Sequence, residues 1–485
     1  MSSEDELRAA AERYRAALPM KRGYEFSLTP LDYVEQPLWA VGVWGDDHIF
    51  VDGFGYKATA AGAQVSALGE AAENYFASKW MRSVERREAS YAALVAEGTA
   101  AVDPVSLCLD AGCGYTPDRR MTWVPATRYP SGERVLVPIE AAAIGFNDIS
   151  PTADREPWVM TPITNGLGAG LTVEQALTHG LLELVQRDGD SVSFRALDLG
   201  VAIDLDAVEN LGTRELLRKL EEEDIEVIAK LAEVNCGMAV IYVVGHDRDI
   251  QRPAFPLTLS ACGEAADPDR ERALEKALRE YVSSRARKRF MHGPLADVAS
   301  VAPQEYMDRL LADDVEGDES RALQCVTDWV RMPREEFFAL IKDTVLAVRS
   351  RVKFSELPTS SGGLAWIAEQ LGKEGLEILY LDFSEVGSGV SAVKAIVPGL
   401  EVETMSYGRI GARNLKRLLD RGSPIVSVGA KRPGARRIYL SAKQESSFGG
   451  AAWLHPEELE RAVGKLYGLY REPNGHSVAR VLESR

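Results

Sequence analysis

Cysteine is scarce. Five in a chain of 485 residues are too few for a disulfide scaffold, and their odd number leaves one over in any pairing. Reducing surroundings are the natural setting. Cys108 and Cys113 lie close together, but no second Cys/His pair stands nearby to complete a zinc site. No apolar run reaches the roughly eighteen residues that a membrane-spanning helix needs. The N-terminus, Met1-Ser2-Ser3-Glu4-Asp5-Glu6-Leu7, lacks the apolar core of a secretory signal, so a soluble cytoplasmic protein is expected. Cations are also in the minority, 56 Lys and Arg against 73 Asp and Glu, for a formal net charge of −17. Such a surface repels phosphate backbones and anionic lipid over most of its area, which argues against general nucleic-acid or membrane binding. Fixed-period repeats and long low-complexity linkers are absent too. What is there, 46% hydrophobic and 27% charged residues, is ordinary globular composition with enough apolar content for a sizeable core.

Helix and strand signals alternate without a regular βαβ rhythm, which predicts an α+β fold with mixed sheets and helices rather than a doubly wound sheet. Strands are expected within 39–51, as a hairpin over 121–146, and at 226–232, 238–245, 377–383 and 391–397. Three long helices are expected at 59–82, opened by Thr59 as a cap, at 172–187 and at 269–289. Each carries acidic residues at helical spacing: Ser66, Glu70 and Glu73; Glu183 and Gln186, with Arg187 adjacent; and Glu280, one turn before Ser283 and Ser284. Carboxylates on one helix face are ordinarily just solvated. Here, however, Ala67, Leu68, Ala71 and Ala72, then Leu181, Leu182, Leu184 and Val185, then Ala273, Leu274, Ala277 and Leu278 make the helices mostly apolar, and charge in such company wants a partner. Magnesium, with its oxygen ligands and its habit of bridging carboxylates to nucleotide phosphates, is the natural one.

At these positions the chain resembles the YcaO family. Gly55-Tyr56-Lys57-Ala58-Thr59 and Ser66-Ala67-Leu68-Gly69-Glu70-Ala71-Ala72-Glu73 are similar to its first signature. Asn165-Gly166-Leu167-Gly168-Ala169-Gly170 and the run His179 to Asp188 are similar to its second, and Ala266-Asp267-Pro268-Asp269 with the run Ala277 to Arg285 to its third. Val397-Pro398-Gly399-Leu400-Glu401 with Arg409-Ile410-Gly411-Ala412-Arg413 resembles its fourth. Four ordered motifs are specific where any one would be weak.

The resemblance implies an ATP- and magnesium-dependent enzyme in which carboxylates of the three helices line a cleft and hold the metal against the nucleotide phosphates. The γ-phosphate passes to a backbone amide oxygen, a nucleophile attacks the activated carbon, and phosphate leaves; metal and arginine stabilise the charge in transfer. A neighbouring Cys, Ser or Thr side chain gives an azoline, sulfide a thioamide, an amine an amidine. Carried over residue by residue, the metal set is Glu70, Glu73, Glu183, Gln186 and Glu280. The nucleotide set is Ser66, Lys57, Glu70, Glu73, Arg187 and Arg285, and Glu183, Arg187 and Arg285 act in catalysis. Departures are Tyr56 where the family has lysine, Asn74 for Arg, Gln186 for Glu and Ser283 for Gln. Tyr56, Gln186 and Ser283 support a rival reading, a non-catalytic subunit that binds peptide or a partner protein. His179 reads as packed or hydrogen-bonded, and Cys262 as a small buried thiol.

The expected organisation is an N-terminal helix and strand extension over 1–45, a catalytic domain over 46–425, and a C-terminal extension over 426–485 without the Pro-x-Pro-x-Pro tail of many azoline formers. Expected partners are a precursor peptide, a leader-binding or TfuA-type protein, and a second copy of the chain in a homodimer. Azoline formation ranks narrowly first.

Overall fold

In the computed structural model, residues 3–45, 49–149, 158–312 and 319–483 are described. One device recurs three times: a short glycine-bearing strand with a long helix behind it. The pairs are β1 (Phe50–Tyr56) with α1 (Ala60–Ser83), β2 (Leu167–Gly170) with α2 (Val173–Asp190), and β3 (Cys262–Asp267) with α3 (Arg270–His292). Each helix opens on a side-chain cap. Thr59 Oγ1 accepts from Gly62 N, Thr172 Oγ1 from Gln175 N, and an Asp269 carboxylate oxygen from Glu271 N. Each strand lies against its helix backbone at a glycine. A Cβ at Gly55 would fall 2.1 Å from Ala63 O and Ala67 N, at Gly168 2.0 Å from Ala176 O, and at Gly263 2.1 Å from Ala277 O.

The chain divides into two compact units. The first comprises residues 1–71, 193–361 and 464–485. It holds a three-stranded antiparallel sheet, Tyr24–Ser27, Leu38–Trp44 and β1 in chain order. It also holds a five-stranded sheet in the order β3, Met238–Asp247, Ile225–Asn235, Val201–Asp204 and Ser350–Lys353. Only the last of these neighbours run parallel. The apolar face of α3, Ala273, Leu274, Ala277, Leu278, Tyr281 and Val282, is buried in one core with Ile241, Val243 and Ala265 of the larger sheet. Among the described residues, shorter helices follow at Leu295–Val301, Gln304–Ala312, Ser320–Arg331 and Arg334–Lys342.

The second unit comprises residues 72–192 and 362–463. Its main sheet runs Arg87–Ser90, Arg120–Tyr129, Ile378–Asp382, Ser391–Ile396 and β2, with Arg134–Pro138 also paired to Arg120–Tyr129; every pairing is antiparallel. A second, small sheet is made of β4 (Val426–Val428), β5 (Arg436–Ile438) and β6 (Ala452–Leu454), with β6 in the middle. The fold is thus α+β, with separate mixed sheets and helices. Among the described residues no helix is long and apolar enough to cross a membrane.

Candidate active site

The carboxylates picked out by helical spacing are not loosely solvated. Glu70 accepts from Phe54 N (2.9 Å), Glu183 from Gly166 N (3.0 Å) and Glu280 from Glu264 N (2.9 Å). In each case a carboxylate on the helix is pinned by a main-chain amide at or beside the strand sixteen or seventeen residues earlier. Glu73 is held in the same manner by Ala169 N of β2 at 2.8 Å. Bonds from an amide to an ionised carboxylate are among the stronger hydrogen bonds, and the glycines of the strands make the close approach sterically possible. A carboxylate has roughly four lone-pair positions, so an anchored one can still ligate a cation.

In the first unit the structure brings Glu70 and Glu280 into one electrostatic group. The Tyr56 hydroxyl bonds to Glu280 and lies in the field of Glu70; burial and these two carboxylates push the phenol far above its ordinary value. The cation of the group is Arg287, whose guanidinium interacts with Glu472, Glu70 and Glu280. Its Nη2 stands 3.5 Å from Glu472 Oε2. Burial works to raise the Glu472 carboxyl, but Lys288, at 2.9 Å, with His292 and Arg287, outweighs it and holds the group well below the carboxylate range.

Arg285 is employed elsewhere. It is fully buried, with Nε 3.0 Å from Asp32, Nη1 2.9 Å from Asp247 and Nη2 donating to Tyr33 Oη at 2.7 Å. Helical geometry explains the difference. At 3.6 residues per turn, five residues after Glu280 lies roughly 140° around the helix, whereas seven residues after it returns to nearly the same face. Arg287 escaped the sequence reading, which expected Arg285 at the phosphates; the i+7 spacing only places Arg287 on the Glu280 face. Lys57 is exposed, within electrostatic reach of Glu275, Lys276 and Arg279. The backbone of Ser66 lies against Gly55. Ser283 is buried, its Oγ without a hydrogen-bond partner among the described residues. Cys262 has its thiol pushed up to about 11, chiefly by burial.

In the second unit Glu183 stands 3.7 Å from Arg187 Nε, its i+4 neighbour on α2. Burial raises its carboxyl, against the opposing effects of Arg187, Gly166 N–H and Lys394. His179 is not packed: its side chain is 62% exposed, with Nε2 4.0 Å from Glu73. Gln186 lies half-buried one turn beyond Glu183. Lys394 escaped the sequence reading. It is buried, donates to the carbonyls of Ala142, Ala143 and Ile163, and is brought down to about 7, by burial first and then by Arg409. A lone lysine in the apolar strand Ser391–Ile396 was the clue, since a buried charge needs partners.

No group of three or more His, Cys, Asp or Glu side chains able to cage a metal occurs among the described residues. The carboxylate oxygens of Glu70, Glu73, Glu183 and Glu280 are of the kind magnesium takes, one or two of them together with substrate phosphates and waters. Hard oxygen donors with arginine beside them form a phosphate-and-metal chemistry, not a thiolate or imidazole one.

Comparison with known proteins decides the family. Residues 54–401 match the family model described as YcaO cyclodehydratase, ATP- and Mg2+-binding. The chain is a YcaO protein. An uncharacterized protein of Methanothermobacter thermautotrophicus is 28% identical over 393 residues, covering 80% of this YcaO chain and 91% of the relative. An uncharacterized protein in the tfuA 3′ region of Rhizobium leguminosarum bv. trifolii is 25% identical over 436 residues, 83% of this chain and 90% of its own. Among solved structures, the YcaO of Methanopyrus kandleri bound with AMPPCP and Mg2+ superposes with a TM-score of 0.56 at 20% identity, over 85% of this chain and 94% of that one. A heterocyclase in complex with substrate and cofactor gives 0.61 at 17% identity, over 86% of this chain and 55% of the heterocyclase, so this YcaO spans about half its length. At these identities the structural likeness is one of fold.

Proposed function

We propose that this YcaO protein activates a backbone amide of a ribosomally made precursor peptide by ATP-dependent O-phosphorylation, giving an azoline by cyclodehydration. The observation that carries the reading is the repeated anchoring of Glu70, Glu183 and Glu280 on main-chain amides, which presents carboxylates in fixed positions on otherwise apolar helices. When bound, magnesium–ATP supplies the phosphoryl group that turns a carbonyl oxygen into a leaving group. Glu70 and Glu280 are the oxygen donors that the first unit offers to magnesium, and Glu73, Glu183 and Gln186 those that the second unit offers. Arg187 and Arg287 are the cations we assign to phosphate, with Arg285 holding α3 in place through Asp32 and Asp247. Tyr56 stands where the family has lysine, and its hydroxyl fixes Glu280 by a hydrogen bond in place of a charge. Catalysis is assigned to the 46–425 region, with 1–45 and 426–485 as extensions, in a cytoplasmic homodimer.

A second reading, thioamide formation with a TfuA-type partner, is favoured by the relative encoded in the tfuA 3′ region. Two measurements test the proposal. The melting temperature should rise with magnesium and ATP together, by mass action on the folded state; no rise at millimolar nucleotide would leave the non-catalytic scaffold. Mass spectrometry of a treated precursor should show loss of one water for an azoline, or exchange of oxygen for sulfur for a thioamide. Glu183→Ala should abolish peptide-dependent ATP hydrolysis in a folded protein, and unchanged turnover would refute its assignment.

A further inference from the structure

A cationic stretch free of acidic residues lies in and around the small sheet of the second unit. Between Arg421 and Gln444 the sequence holds Arg421, Lys431, Arg432, Arg436, Arg437 and Lys443 and no Asp or Glu, against a net charge of −17 for the whole chain. Lys431, Arg432 and Lys443 are exposed, and none forms an ion pair with a carboxylate among the described residues; Arg436, also exposed, stands with Ile438 on the opposite side of the sheet. This sets them apart from surface arginines such as Arg128, Arg218 and Arg248, each of which meets at least two carboxylates.

The register of the sheet gives the patch a floor. Ser427, Trp453 and Arg437 stand opposite one another across β4, β6 and β5 and so share a face. Their neighbours Val426, Leu454, Ala452 and Ile438 are buried on the other side. Trp453 is pinned by its Nε1 donating to Gly429 O at 2.7 Å. Lys431 Nζ lies 5.6 Å and Arg437 Cζ 5.3 Å from its ring centroid, a cation–π arrangement that fixes both charges above the face. Arg437 is also tied to Glu445, whereas Lys431 and Arg432 project from the loop joining β4 to β5.

We infer that this face docks an acidic segment of the peptide substrate. The net charge of −17 disfavours such a segment on average, whereas here exposed cations stand without carboxylate partners, so charge complementarity favours this face. Strands of three residues in a three-stranded sheet offer a platform of roughly 10 Å by 10 Å, enough for a few residues of extended peptide. A nucleic-acid strand, charged along its whole length, would meet the net charge of −17 of the protein beyond so small a platform. The identity of the occupant rests on the peptide-modifying reading; the cationic face does not.

The test is fluorescence anisotropy of a short fluorescein-labelled oligoglutamate against the full-length protein. The wild type should bind it more tightly than it binds a single-stranded DNA oligomer of equal charge, and the affinity should fall with added salt. Reversing two charges within a Debye length of the bound peptide, Lys431→Glu with Arg432→Glu, should weaken binding at least about tenfold. The milder Lys431→Gln should weaken it less, and Arg13→Glu, an exposed cation on the N-terminal helix, should leave it within about twofold. Failure of the wild type to bind, equal loss in Arg13→Glu, or tighter binding of DNA would each overturn the inference. The magnesium–ATP melting shift, measured on the same samples, should persist in every variant. Its absence from the wild type would sink the activation reading while leaving peptide docking to be judged on its own data.

Discussion

Replacing Gly263 by alanine tests the strand–helix device at its tightest point. The new Cβ would sit 2.1 Å from Ala277 O, 2.3 Å from Tyr281 N and 2.8 Å from the carbonyl carbon of Glu280, all of them main-chain atoms of α3. Carbon needs about 3.5 Å from such neighbours, so the strand and helix must part by roughly 1 Å or more. They cannot do so freely, because Ala277, Leu278 and Tyr281 are fully buried on the same helix. Forced overpacking of a core costs about 1–3 kcal/mol, and stretching the Glu264 N–Glu280 bond forfeits up to about 1.5–3 kcal/mol more. A total of about 3–5 kcal/mol is expected as a lowered urea midpoint, together with loss of the magnesium–ATP melting shift because Glu280 is displaced. The matched control is Gly69→Ala, in the interior of α1, where a Cβ meets nothing nearer than Tyr14 Oη at 3.8 Å. There the helix gains about 0.5–1 kcal/mol from lower unfolded-state entropy. If Gly263→Ala unfolds at the wild-type midpoint and keeps its nucleotide response, the close packing of β3 on α3 does not position Glu280.

Tyr56→Phe removes a hydrogen bond to a carboxylate, so stability should drop by about 1.5–3 kcal/mol and the magnesium–ATP melting shift should shrink; an unchanged shift would show the hydroxyl to be idle. Ser283→Ala removes a buried hydroxyl without a partner, and the unfolding free energy from urea titration should stay level or rise by up to about 1 kcal/mol; a marked fall would reveal a missed contact. Acid sensitivity has a specific source in His476, whose imidazole is brought down to about 4, first by burial and then by His292. Its ordinary value is 6.5, so between those limits the unfolded chain binds a proton that the folded one refuses, and stability falls as pH is lowered through that window. The loss approaches about 3 kcal/mol near pH 4. Urea titrations of His476→Phe between pH 7 and 4 should show a flatter acid limb than the wild type, and parallel limbs would disprove the assignment.

The long helices were legible because their signals are local. Thr59, Thr172 and Asp269 cap them, and acidic residues recur at helical spacing on an apolar background. The strands Ile225–Asn235 and Met238–Asp247 announced themselves by β-branched runs. By contrast β3, Cys-Gly-Glu-Ala-Ala-Asp, has almost no intrinsic strand preference; it is a strand because Met238–Asp247 pairs with it and α3 covers its glycine. The three-residue strands β4, β5 and β6 are too short to show a period. At the candidate site the glutamates could be read from spacing, but the division of labour between Arg285 and Arg287 could not. It depends on Asp32 and Asp247, hundreds and tens of residues away in sequence, meeting one guanidinium and not the other.

The anchoring of the glutamates by main-chain amides has a consequence for redesign. Because Ala169 contributes only its peptide nitrogen to the anchor of Glu73, its side chain can be varied without uprooting that acid, whereas Phe54 also packs on Phe290 and Arg287 and Glu264 pairs with Arg195. The adjoining glycines tolerate no such freedom, so a mutagenesis library should start at 169 and leave 53, 55, 168 and 263 untouched.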